Sequence, residues 1–141
     1  MAAVYCDAIE IELDSGIAIR DITPLLEGVA AASGIRTGAL MATVIGSTGS
    51  LTTIEYEPGV ITDLKAAIDR LAPQGLDYAH EKAWHDGNGH SHVQAALLGP
   101  SLTLPLRKNR IRLGTWQQVV VINHDNRERS RQIEVTIVGD A

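Results

Sequence analysis

Four of the five histidines fall within thirteen residues, in the run His80-Glu81-Lys82-Ala83-Trp84-His85-Asp86-Gly87-Asn88-Gly89-His90-Ser91-His92. Imidazole ligates metals through nitrogen and moves protons near neutral pH, so the cluster suits metal-assisted or acid–base chemistry. His90 and His92 diverge on a regular helix, but both approach one ion if they sit at a loop-to-helix junction. His80 joins them if the turn over 86–89 folds back. His80, His90 and His92 are therefore the candidate metal set for a zinc-like ion, with Glu81 or Asp86 orienting an imidazole from behind. Loop hydrogen bonding and subunit contact are the competing uses. His85, beside Trp84, reads as shaping the loop, and His124, in Asn123-His124-Asp125-Asn126, as a surface residue.

Two carboxylates and a hydroxyl-rich turn supply the rest of the chemistry. Glu55 stands near the end of a strand-like run, and Asp63 lies early in the helix after Pro58-Gly59, so a turn could bring both toward one pocket. Asp63 also suits a helix N-terminus for electrostatic reasons alone. Gly46-Ser47-Thr48-Gly49-Ser50 could present Ser47, Thr48 and backbone N–H groups to an anion, although it has neither the lysine nor the spacing of a P-loop.

These residues must be positioned by a single domain over 1–141. The chain is 45% hydrophobic, contains no Phe and has a net charge of −5. Arg107, Lys108, Arg110 and Arg112 cluster on a hairpin, as a solvated strand face or a local pocket for phosphate or pyrophosphate. The overall charge argues against nucleic acid as a partner. Cys6, the sole cysteine, cannot form an internal disulfide and is expected to be a small buried apolar residue. No basic region followed by an apolar run opens the chain, and no apolar stretch is long enough to span a bilayer, so a soluble cytoplasmic protein without membrane contact is expected.

Periodicity predicts alternating strands and helices. Ile9, Ile11 and Leu13 alternate with Glu10 and Glu12 in a half-exposed strand over 8–13. Thr23 is expected to cap a helix starting at Pro24 and ending at Gly34. Strands follow at 39–45 and 51–56, then a helix over 60–71 with Leu64, Ile68 and Leu71 on its apolar side. A short helix is expected from Ser91 or His92 to Leu98. Beyond Pro100 come a strand over 102–106, a Lys108-Asn109 turn, a return arm through Ile111 and Leu113, a central strand over 115–122 and another over 132–138. The economical architecture is α+β, with a mixed or antiparallel sheet system covered by two or three helices.

Several motifs, in order, carry a family resemblance: Gly46-Ser47-Thr48-Gly49-Ser50-Leu51-Thr52, Glu55, Asp63-Leu64, Tyr78-Ala79-His80, Asp86 through His92, Gly99-Pro100-Ser101-Leu102 and Gly114-Thr115-Trp116-Gln117. Over about residues 10–139 the chain resembles the YjbQ-like family, long classed as uncharacterised and also called secondary thiamine-phosphate synthase. The resemblance implies a compact α+β domain assembled as a homotrimer, with clefts near subunit boundaries. It also implies a reaction joining hydroxymethylpyrimidine diphosphate to thiazole phosphate with release of pyrophosphate, assisted by a divalent metal, zinc or magnesium. Glu55, Asp63, His80 and His92 correspond to functional positions. Ser47, Thr48, Asn88, Thr115 and Gln117 correspond to positions facing a phosphorylated small molecule.

The chain also departs from the pattern. Many relatives have histidine in the segment occupied here by Gly46-Ser47-Thr48, and many have aspartate at the position of His90. His90 could replace the missing ring or mark a shifted substrate or metal. A noncatalytic, metal-dependent phosphometabolite-binding protein is the alternative reading.

Overall fold

Alternation along the first strand, β1 (Ala2–Leu13), turns Ile9, Ile11 and Leu13 inward and leaves Glu10 and Glu12 outside. The computed structural model describes residues 2–141. It continues with β2 (Ala18–Asp21), α1 (Thr23–Ser33), β3 (Thr37–Val44), β4 (Gly49–Ile54), α2 (Pro58–Leu71), α3 (Ala79–Trp84) and α4 (Gly89–Leu98). The chain ends with β5 (Ser101–Arg107), β6 (Arg110–Ile111), β7 (Gln118–Asn123) and β8 (Arg129–Asp140). The strands form two antiparallel sheets, ordered β1-β8-β3-β5-β6 and β2-β7-β4. This is the expected α+β architecture, with α3 added to the three anticipated helices.

The main core lies between the sheets. Leu40, Ala42, Ile133, Val135 and Ile137 from the larger sheet pack with Leu51, Val119 and Val121 from the smaller, and α1 adds Leu26, Val29 and Ala30. On the other face of the smaller sheet, Val120 and Ile122 meet Ile68 of α2, flanked by Leu64 and Leu98. Strand β7 is thus buried on both faces, which explains its unbroken apolar run. Each such side chain stabilises the fold by roughly 1.5–3 kcal/mol relative to exposure.

Local chemistry fixes the element ends. Glu57 caps α2 by accepting hydrogen bonds from the Gly59 and Val60 N–H groups at 2.8 and 2.9 Å, and Pro58 occupies the first turn. The Lys108-Asn109 hairpin turn forms as expected, both residues having positive φ of 54° and 62°. Asn109 Nδ2 donates to the Ala30 and Ile35 carbonyls, both at 2.7 Å, tying the hairpin to the end of α1.

Several local expectations change. Thr23 is the first helical residue and Ile22 the cap; the Thr23 hydroxyl is directed to β7, where it accepts from Val119 N–H at 2.8 Å. The central strand starts at Gln118 instead of Thr115, because residues 115–117 form an exposed turn in which Gln117 Oε1 accepts the Gly114 N–H at 3.0 Å. Cys6 is exposed. It shares the parity of Glu10 and Glu12, the outward positions of β1, so the same alternation that buries Ile9 exposes Cys6.

No helix among the described residues is long and apolar enough to cross a membrane.

Candidate functional site

The α3–α4 corner is built by Glu81. Its carboxylate accepts the Gly87 N–H at 2.7 Å and the Gly89 N–H at 2.8 Å, folding the Asp86–Gly89 turn back onto α3. This brings His80 of α3 against His92 in the first turn of α4, with ring centroids 4.6 Å apart and planes tilted by 54°. His80 Nε2 is buried without a hydrogen-bond partner; Asp86 Oδ1 stands 3.4 Å away, an ion-pair contact when the ring is protonated. The Asp86 carboxyl lies below its ordinary range because it accepts the Asn88 N–H, with a smaller contribution from His80.

His92 sits between two adjoining clefts. One, of about 370 Å³, is lined by Ser47, Thr48, Asp86, Asn88, His92, Asp125, Arg129, Ser130 and Arg131. The other, of about 270 Å³, is mostly apolar and runs past Gly46, Gly49, Ala95 and Pro100. Together they match the dimensions of a small-molecule site with a polar and an apolar end.

A buried network forms the polar floor. Asp125 accepts from Thr48 Oγ1 at 2.9 Å, Asn88 Nδ2 at 3.0 Å, Arg127 N–H at 3.0 Å and Arg129 Nε at 3.1 Å. Burial alone would push its carboxyl up, but these donors outweigh that and hold it at about 2. Arg131 Nη2 donates to Thr48 Oγ1 and Asn123 Oδ1, both at 2.6 Å. Asn88 Oδ1 accepts from Ser91 Oγ at 2.6 Å and Asn126 N–H at 3.0 Å. Thr48 and Asn88 therefore hold the cleft together, while exposed Ser47 remains free to meet a ligand.

His124 belongs to this interior, contrary to its expected surface position. It is only 1% exposed. Its Nδ1 faces Gln94 Oε1 at 3.0 Å and its Nε2 faces Ser50 Oγ at 2.7 Å, while Gln94 Nε2 donates to the Ala72 carbonyl at 2.9 Å. This chain assigns the proton to Nδ1 and makes Ser50 the donor to Nε2. Burial, reinforced by Arg131, lowers the ring to about 4. Although Ser50 and His124 resemble a nucleophile and base, Ser50 is fully buried and beyond the reach of a substrate.

His90 takes a different direction. It is buried beside Gln94 in a separate cleft with Gly16, Ile17, Lys65 and Asp69. Its Nε2 lies 3.2 Å from Ser91 Oγ, and burial lowers its proton affinity. Among the described residues no three His, Cys, Asp or Glu side chains are grouped to hold a metal. The imidazoles brought together are those of His80 and His92.

Glu55, Asp63, Thr115 and Gln117 are also elsewhere within the chain. Glu55 lies beyond the opposite end of β4 from Gly49, roughly 20 Å along the strand. Gln117 Nε2 reaches Thr53 Oγ1 at that end, at 3.1 Å, and Glu55, Asp63 and Thr115 are exposed. Glu57, and not Asp63, stabilises the α2 N-terminus. The basic hairpin residues Arg107, Lys108, Arg110 and Arg112 line a larger open concavity of about 590 Å³, and no histidine or carboxylate is among its described lining residues.

Arg131 and Asp125 are prominent site residues that motif reading overlooked. Arg131 shares the parity of Ile133, Val135 and Ile137, all inward positions of β8, so an arginine there was detectable as a buried cation.

Comparisons with known proteins agree with this architecture. The family model described as UPF0047 protein YjbQ-like matches residues 7–140. A UPF0047 protein of Methanothermobacter thermautotrophicus is 32% identical over 136 residues, covering 96% of this chain and 93% of the relative. The crystal structure of a YbjQ-like protein of unknown function from Sulfolobus solfataricus P2 superimposes with a TM-score of 0.93 at 28% identity, covering 99% of this chain and 100% of that one. A YjbQ/UPF0047 family protein from Clostridium acetobutylicum gives a TM-score of 0.80 at 30% identity, covering 92% and 98% respectively.

Proposed function

Because this chain belongs to the YjbQ-like UPF0047 family, we propose that its His80–His92 corner binds a phosphorylated small molecule and serves a thiamine-phosphate synthase reaction. The carrying observation is the facing pair of imidazoles at a cleft of about 370 Å³ whose floor includes Arg129 and Arg131. In that reaction the thiazole nitrogen forms a bond to the pyrimidine methylene carbon as the carbon–oxygen bond to pyrophosphate breaks. The leaving group takes the bonding electrons, so no covalent protein nucleophile is required. His92 and Ser47 would contact the phosphorylated end, and the apolar cleft past Ala95 and Pro100 would accept a ring.

A metal fits this chain's residues only in part. Two imidazoles suit zinc better than magnesium, but they fall short of the four donors of a zinc centre. A divalent ion held by His80 and His92 would take further ligands from water, phosphate oxygens or a neighbouring subunit. When bound it would supply charge stabilisation to the departing pyrophosphate. A homotrimer would offer a route for Glu55, Asp63, Thr115 and Gln117 of one subunit to approach the histidine corner of another.

Their separation within one chain favours a second reading, a binding protein for the same ligand class without turnover. Calorimetry separates these readings from a purely structural role: saturable binding of either phosphorylated precursor, weakened in His92→Ala, is expected. Absence of saturable binding rejects both ligand readings.

A further inference from the structure

Arg131 is a buried cation that makes no direct ion pair among the described residues; the carboxylate that acts on it electrostatically, Asp125, is linked to it through the Thr48 hydroxyl. Arg131 is 5% exposed, and its hydrogen-bond acceptors are the neutral oxygens of Thr48 and Asn123. Buried charges ordinarily lie against an opposite charge, because desolvation is otherwise uncompensated. Of the carboxylates lining the cleft, Asp125 is committed to Arg129, Thr48, Asn88 and the Arg127 N–H, and Asp86 faces His80. Two guanidiniums and two carboxylates line the cleft, but Arg129 takes Asp125 directly and Asp86 lies against His80, so neither carboxylate forms an ion pair with Arg131.

The remaining donors of Arg131 are also uncommitted. Its Nε is buried without a partner, and its Nη1 donates to no group among the described residues. Gly46 keeps the space beside Nη1 clear, and Gly49 lets the backbone pack close to the buried Nε. A Cβ on Gly46 would stand 2.9 Å from Nη1, and one on Gly49 would stand 3.3 Å from Nε. Gly46 also has φ of 124°, a conformation that glycine adopts without steric cost. A side chain at Gly46 would press on the guanidinium and narrow the approach beside Ser47.

From this we infer that Arg131 is the oxyanion receptor of the cleft, binding a phosphate or pyrophosphate oxygen through its uncommitted Nη1 N–H groups, with Ser47 at the rim. The inference rests on reading the cleft as a phosphorylated-ligand site, but not on the synthase reaction. An arginine fork suits a phosphoryl group, and in a water-poor setting its charge acts with little screening. The anion would supply the direct ionic contact that Arg131 lacks.

The test is calorimetric titration of the full chain with inorganic pyrophosphate, using wild type, Arg131→Lys and Ser47→Asp. Arg131→Lys keeps the charge but removes the fork. Ser47→Asp changes an exposed loop residue and places a carboxylate in the cleft that Arg131 lines, so it tests the idea even if the buried arginine variant fails to fold. Each folded variant is expected to weaken pyrophosphate by about tenfold or more, the scale of one charged hydrogen bond. Failure of wild type to bind pyrophosphate, or Ser47→Asp binding within about twofold of it, would overturn the inference. Arg131-dependent pyrophosphate binding without precursor binding would sustain the oxyanion receptor while removing the precursor-based function.

Discussion

His80 and His92 face one another with ring centroids 4.6 Å apart, although one belongs to α3 and the other to α4. Glu81 makes the pairing possible by holding Gly87 N–H and Gly89 N–H on one carboxylate. Glu81→Gln retains the size but replaces one carboxylate oxygen with an NH2 donor, so one of the two bonds is lost and the other loses its charge assistance. It should lower precursor affinity more than global stability, with a melting change corresponding to about 1–2 kcal/mol. Calorimetry and urea unfolding on the same samples would separate these effects; unaltered affinity in a folded variant would contradict this positioning role.

His90 should be separable from the His80–His92 pair. Since it lines the Lys65–Gln94 cleft, His90→Ala is expected to leave zinc stoichiometry and precursor affinity within about twofold of wild type, less than the loss of one hydrogen bond to a charged group. His92→Ala is expected to reduce precursor affinity by about tenfold or more. Metal analysis and calorimetry on both variants would check this; equal losses would restore His90 to the site.

Asp125 ties the cleft to acid stability. Its folded pKa of about 2 lies below the ordinary 3.8, so its contribution is present above about pH 4 and is lost as pH falls through about 2. That difference corresponds to about 2 kcal/mol. Asp125→Ala, which leaves Arg129, Asn88 and Thr48 without their acceptor, should cost about 3–5 kcal/mol. Urea midpoints measured between pH 2 and 7 should show the acid slope in wild type and a flatter profile in Asp125→Asn.

His124 predicts a second, higher pH window. The neutral ring is the folded form, with a pKa of about 4 against 6.5 for the exposed group. The unfolded chain therefore binds the proton first: stability falls as pH drops below 6.5, and the loss levels off below about 4. The linked free energy is about 3 kcal/mol. His124→Gln should be less stable at neutral pH but flatter over this window, as read by thermal unfolding; an unchanged slope would place the titration elsewhere.

Much of the fold was legible from period alone. Alternation located the 8–13 half of β1, and Leu64 and Ile68 after the Pro58-Gly59 break located α2. Helix α3 has six residues and no buried side chain, too little pattern to distinguish it from a loop. His124 looked exposed because its neighbours are turn residues, yet Ser50 and Gln94, distant in sequence, enclose it. The same limit hid the role of Gly46 and Gly49: their missing side chains acquire meaning only when β8 brings Arg131 beside them. The histidine run marked the corner where α3 meets α4, while the direction of each ring depended on tertiary folding.

The most direct measurement is phosphorus NMR of the purified chain mixed with hydroxymethylpyrimidine diphosphate and thiazole phosphate, in parallel with His92→Ala and an enzyme-free sample. The proposed reaction predicts thiamine phosphate and pyrophosphate appearing in equal amounts with wild type, and slower by about tenfold or more with His92→Ala. Precursors that bind saturably but give no product above the enzyme-free sample would contradict the synthase assignment and leave a binding protein.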